Sequence, residues 1–125
     1  MKCLAVGRVI SIVDDDESVR RSLTGLLRSV GYEVKTFASA EDFLDSAHLP
    51  GVACLLLDVR MPGMSGLALQ ARLAAGGFRI PIIFLTAHGD QAARARALSA
   101  GAVEFLLKPF DGHVLLDAVN VAVAG

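Results

Sequence analysis

The sequence predicts one α/β domain on a five-stranded parallel sheet, strand order 2-1-3-4-5, with helices on both faces. Three observations carry that reading. Short apolar runs alternate with stretches of helical periodicity five times along the chain, which is the pattern of repeated strand–helix units. The runs Val52–Leu57 and Ile82–Leu85 are apolar throughout, as strands covered on both faces are. Hydrophobic residues make up 54% of the 125, ample for a core. Residues 1–8 read as an N-terminal extension and residues 9–125 as the domain.

Val9–Val13 is the first strand and runs into acids. Val19, Leu23, Leu26, Leu27 and Val30 recur at helical spacing, and Gly31 stands where a glycine ends a helix. Val34–Phe37 is the second strand. Ser39 can cap a helix over Phe43, Leu44 and Ala47, with Asp42 as a weak capping-box partner, and Pro50-Gly51 ends the segment. Cys54–Leu57 is the third strand. The loop Met61-Pro62-Gly63-Met64-Ser65-Gly66 leads into a helix through Leu67, Leu69 and Leu73. Ile82–Thr86 is the fourth strand, and Asp90 can cap the alanine-rich helix that ends at Gly101. Glu104–Leu107 is the fifth strand, stopped by Pro109. Asp111 opens a last helix with Val114, Leu115, Ala118, Val119 and Ala122 inward. Right-handed crossovers leave few topologies for such a chain, and the flavodoxin-like order is the common solution for five strands.

Composition excludes several classes. Twelve basic against thirteen acidic residues give a net charge of −1, and no basic run exists, so the chain itself offers nothing for nucleic acid or a membrane surface. The mean hydropathy of +0.55 belongs to a core, because no apolar run nears the ~18 residues of a membrane span. Met1–Val6 is too short and too weakly charged for a signal peptide. The two cysteines, Cys3 and Cys54, make no disulfide framework, and Cys54 reads as a buried free thiol. A reducing, cytoplasmic location follows.

Four of the five strands end in a functional group: Asp14-Asp15-Asp16, Asp58, Thr86 and Lys108. In an open parallel sheet, ligands bind beyond the carboxyl ends of the strands at the topological switch point. Here that point lies between strands one and three, where Asp14 and Asp15 meet Asp58. At about 4.8 Å per strand, Thr86 is one strand from Asp58 and Lys108 two, a gap a long amine can cover. Clustered carboxylates repel unless a cation joins them, and Mg²⁺ favours such hard oxygen ligands with retained waters; Mn²⁺ is a possible substitute. Three acids balance Mg²⁺ plus one lysine in formal charge, so the site can admit a phosphoryl group. A carboxylate can take that group as an acyl phosphate, because phosphoryl transfer is mostly positioning and charge neutralisation.

With these residues in place the chain resembles the receiver domains of two-component response regulators. The matching pieces are Ile12-Val13-Asp14-Asp15-Asp16-Glu17, Leu55 through Gly66, Phe84-Leu85-Thr86-Ala87-His88-Gly89-Asp90, and Gly101 through Phe110. The resemblance implies that Asp58 is the phosphoacceptor and that Asp14, Asp15, Asp58 and the Arg60 backbone carbonyl hold Mg²⁺. It implies that Thr86 and Lys108 contact the phosphoryl oxygens, that Thr86 and Phe105 form the switch, and that Lys108-Pro109 is a candidate cis peptide. Arg60, Ala87 and His88 would flank the site mouth and tune the lifetime of the phosphoryl group. The implied partners are a sensor histidine kinase and, on phosphorylation, a second copy docked through the fourth helix, fifth strand and fifth helix. The Thr-Ala-His-Gly-Asp run is similar to the nitrogen-fixation regulator subfamily, whose members carry a DNA-binding output domain. No such domain lies within these residues, so transcriptional control is expected through an output domain or partner outside this chain.

Blander readings compete. Asp16 and Glu17 read as a helix cap and first turn. Gly63 and Gly66 lie in no nucleotide fingerprint and read as turn residues. His48 and His113 read as surface positions. Haloacid-dehalogenase-type phosphatases also use a strand-end Asp, Mg²⁺, Thr or Ser, and Lys, but they need an acid two residues on, where this chain has Arg60. A binding module that has lost phosphorylation is the other alternative, against which the intact acid, Thr and Lys set argues.

Overall fold

The computed structural model describes residues 8–46, 51–87 and 91–124. Strands and helices alternate as β1 (Val9–Val13), α1 (Glu17–Ser29), β2 (Glu33–Phe37), α2 (Ala40–Asp45), β3 (Val52–Leu57), α3 (Gly66–Ala75), β4 (Ile82–Thr86), α4 (Gln91–Ser99), β5 (Glu104–Leu107) and α5 (Gly112–Ala124). All pairings are parallel, in the order β2-β1-β3-β4-β5. β2 and β3 begin one and two residues earlier than expected, at Glu33 and Val52, because both of these residues pair with Val9 at the start of β1. Ala47, His48, Pro50, His88 and Asp90, including the expected Asp90 cap, lie outside the described residues, as does Cys3.

The three central strands, β1, β3 and β4, are buried on both faces, which is why they do not alternate. Ile10, Ile12, Cys54, Leu56, Ile83 and Leu85 pack against Leu23 and Leu27 of α1 and Leu115, Val119, Ala122 and Val123 of α5. On the other face Val13, Leu55, Leu57, Ile82, Phe84 and Phe105 meet Phe43 of α2, Leu69 and Leu73 of α3, and Ala93 and Ala97 of α4. Each fully buried Leu or Ile contributes ~1.5–3 kcal/mol relative to exposure. Cys54 is a free, buried thiol, and burial pushes it up to about 12 against a smaller opposing pull from the Leu55 backbone, so it is inert at neutral pH.

Local signals set the helix ends. Asp16 caps α1 by accepting the N–H groups of Ser18 (2.8 Å) and Val19 (3.4 Å), and Ser39 caps α2 through the Asp42 N–H at 3.0 Å. The Asp111 carboxylate accepts the His113 N–H at 2.7 Å, one residue before α5. α1, α3 and α4 end alike, with Gly31, Gly77 and Gly101 at φ of 99°, 81° and 103°. The next N–H in each case returns to the carbonyl five residues back, Tyr32 to Leu27, Phe78 to Leu73 and Ala102 to Ala97, the Schellman arrangement that glycine permits. Val114, expected inward, is out, and so is Val30, the last of the residues at helical spacing in α1. Val30 is 39% exposed and Val114 50%: Val30 is already the C-cap of α1, and the inward stripe of α5 runs 115-119-122-123, one helical step from Val114.

Candidate functional site

Strand register builds the site before any side chain is considered. Val13 of β1 stands opposite Leu57 of β3, so the residues that follow, Asp14 and Asp58, leave the sheet side by side. The Asp58 N–H donates to the Val13 carbonyl at 3.1 Å, and the Asp14 N–H to the Phe37 carbonyl at 3.2 Å. Thr86 pairs with Leu107, and the Lys108 N–H donates to the Thr86 carbonyl at 2.8 Å. Asp14, Asp58 and Thr86 are all buried, while Asp15 is exposed.

Asp14, Asp15 and Asp58 each offer a carboxylate oxygen within 4.8 Å of the other two. The Asp16 N–H orients Asp14 at 2.9 Å, and Arg20 of α1 grips the Asp14 backbone carbonyl at 2.7 Å. Lys108 spans the sheet edge: its Nζ is 2.8 Å from Asp14 Oδ2 and 3.5 Å from Asp58 Oδ2. Its nearer partner is thus Asp14, although Asp14 lies three strands away in the sheet and Asp58 only two. The Arg60 N–H donates to Asp58 Oδ1 at 3.3 Å, and the Arg60 side chain is exposed. Ala87 is an exposed bend residue. Phe105 is buried with its ring 5.9 Å from that of Phe84. The Lys108-Pro109 peptide is cis.

Burial holds the Asp58 carboxyl above its ordinary value of 3.8; the Lys108 ammonium opposes this, the Asp14 charge adds to it, and the Arg60 N–H opposes it. For Lys108 burial pulls downward, but the hydrogen bond and charge of Asp14, joined by Asp58, outweigh it and hold the amine above 10.5. The ammonium therefore stays charged at neutral pH between two acids. An all-oxygen donor set, two members of it withdrawn from bulk water, is compatible with Mg²⁺.

Three residues gave no signal in the sequence, two beside the site and one that ties the helices behind it. Gly66 was read as a turn residue, yet a Cβ there would lie 2.1 Å from the Asp58 carbonyl oxygen, so only glycine lets α3 start this close to the acid. Glu41 of α2 accepts the Met64 N–H at 3.1 Å. Gln70 of α3 is buried and donates to the Ala97 carbonyl of α4 at 3.0 Å. All three depend on long-range neighbours that periodicity does not reveal.

Residues 10–120 match the response regulator receiver domain model, and the chain belongs to that family. It is 53% identical over 114 residues to nodulation protein W of Bradyrhizobium diazoefficiens, covering 91% of this chain and 50% of that protein. It is 51% identical over 115 residues to the transcriptional regulatory protein TdiR of Thauera aromatica, covering 92% and 51%. The crystal structure of FixJ-N superposes with a TM-score of 0.84 at 42% identity over 94% of each chain. The chain spans about half the length of the curated relatives it matches. Receiver domains act in two-component signalling rather than as substrate-turnover enzymes, and phosphorylation and Mg²⁺ binding are typical of them.

Proposed function

We propose that this chain accepts a phosphoryl group from a sensor histidine kinase on the Asp58 carboxylate and relays the change through its α4–β5–α5 surface. The observation that carries the reading is the convergence of three carboxylates within 4.8 Å, with the Lys108 amine 3.5 Å from Asp58, at the switch point of a receiver fold.

Asp14, Asp15, Asp58 and the Arg60 carbonyl would hold Mg²⁺, which when bound offsets the charge that collects on the phosphoryl oxygens. Asp58 supplies the nucleophile: one carboxylate oxygen bonds to phosphorus as the bond to the donor breaks, and the leaving group departs with the bonding pair. Lys108 turns its ammonium from Asp14 toward the transferred oxygens, a short swing for an amine already between both acids. Thr86 offers its hydroxyl to the same group and is drawn inward, giving Phe105 room to turn beneath α4. Arg60 and Ala87 border the path of a hydrolytic water; the planar fork of Arg60 shields the phosphoryl oxygens. The reading includes a cytoplasmic site of action, control of transcription through a domain or partner outside this chain, and no turnover of external substrates. Among the described residues no helix is long and apolar enough to cross a membrane.

Intact-mass measurement with acetyl phosphate tests the assignment. Wild type should gain one phosphoryl group only with Mg²⁺ or Mn²⁺, and Asp58→Asn should gain none. Equal labelling of both proteins, or labelling in excess EDTA, would refute it.

A further inference from the structure

A backbone carbonyl has no rotamer of its own, so the torsions of its loop alone decide where it points. The Arg60 carbonyl lies in the segment 58–66 between β3 and α3, and two tethers hold that segment. One is internal: the Gly66 N–H donates to the Val59 carbonyl at 2.9 Å. The other comes from a different element. The Glu41 carboxylate, in the first turn of α2, accepts the Met64 N–H at 3.1 Å across 23 residues of sequence. Gly63, just before it, has φ of 77°, and a Cβ there would lie 2.7 Å from the same Glu41 oxygen. The carboxylate thus lies against bare backbone at the apex of the turn.

We propose that Glu41 is a positioning residue for divalent-cation binding at the Asp14–Asp15–Asp58 cluster, fixing the turn so that the Arg60 carbonyl is in place before the cation arrives. The inference rests on the proposed role of that carbonyl as a ligand. Mg²⁺ demands near-octahedral geometry at 2.0–2.1 Å and tolerates little displacement of a ligand. A turn left loose in the free protein would have to be ordered on binding, at a cost in conformational entropy for each residue fixed. Glu41 removes part of that cost from the binding step.

Glu41→Ala and Glu41→Gln separate the hydrogen bond from the charge, because the Gln amide oxygen can still accept the Met64 N–H. Calorimetric Mg²⁺ titration of the unphosphorylated protein should show affinity about fivefold weaker in Glu41→Ala, which is ~1 kcal/mol. Glu41→Gln should stay within about twofold of wild type on the same scale. In EDTA, the Met64 amide should exchange faster in Glu41→Ala than in Glu41→Gln, with the melting temperature little changed since the side chain is exposed. Wild-type affinity in Glu41→Ala would overturn the positioning role alone. Equal weakening in both variants would also overturn it, by showing that long-range charge is what acts. A wild-type chain that takes up no Mg²⁺ would overturn the reading of the acidic cluster, and the role of Glu41 with it.

Discussion

Asp58 follows three buried leucines out of β3 and is itself only 8% exposed. Its carboxyl is held above the ordinary value, chiefly by burial, despite the Lys108 ammonium beside it. A raised carboxyl pKa means that the native state holds more protons than the unfolded chain between the ordinary value of 3.8 and the folded one. Stability falls as pH rises through that window, and at pH 7 the ionised group costs stability. In EDTA, Asp58→Asn should therefore melt above wild type at pH 7, and the gain should vanish as the pH drops below the ordinary carboxylate range. Added Mg²⁺ should narrow the gap by stabilising wild type more than the variant. Thermal melts across pH, with and without EDTA, check this; a variant that melts lower than wild type at pH 7 in EDTA would show that pairing with Lys108 outweighs burial. Asp14, Asp15, Asp58, Thr86 and Lys108 were legible as a group because each sits at a strand end, and strand ends can be read from apolar runs. Glu41, Gln70 and the orphaned buried hydroxyl of Ser11 were not, since an isolated polar residue in sequence carries no mark of what the fold places opposite it.

α4 is the least anchored of the long helices by side-chain burial. It buries only Ala93 and Ala97, with Leu98 partly covered, and small side chains bring little apolar area. The sequence conveyed that weakness but not the tether that offsets it. Gln70 reaches from α3 to the Ala97 carbonyl, which also accepts the Ala102 N–H at 3.0 Å, so one oxygen closes the helix end and binds it to its neighbour. Gln70→Ala should lower stability by about 1–2 kcal/mol, the cost of a buried hydrogen bond, and should speed amide exchange across α4 more than across α1. Uniform acceleration in both helices would mean that Gln70 supports the whole domain and not α4. Element boundaries were read to within two residues where a cap or glycine marked them. The inward face of α5 was misjudged at Val114 because one helical step separates a half-exposed position from a buried one.

At the scale of the molecule, both edges of the sheet are short strands, five residues in β2 and four in β5, which limits open-edge pairing. The two edges differ in what surrounds them. Of the six large hydrophobic residues that are exposed among the described residues, Val103, Leu107, Val114 and Val121 belong to β5, its approach and α5. Leu107 and Val114 stand at the end of the sheet that holds Lys108, while Val121 and Val103 line a hollow with Phe78 and Ile80 at the opposite end. Apolar surface therefore extends along the whole β5–α5 side, beside the loosely held α4. Such a side suits an isologous dimer, in which each copy presents the same patch. Two packings of one surface are selected only by a ligand that binds them differently, and on the proposed function a phosphoryl group that draws Thr86 inward, with Phe105 turning below, would be such a ligand. Sedimentation should show wild type moving toward dimer when beryllofluoride and Mg²⁺ are added. Val114→Asp should stay monomeric under the same conditions and still gain a phosphoryl group from acetyl phosphate, because its side chain is half exposed and outside the acid cluster. A filled site on an unchanged wild-type monomer would refute dimerisation, and a dimer that persists in both Val114→Asp and Leu107→Asp would place the interface on another side of the molecule.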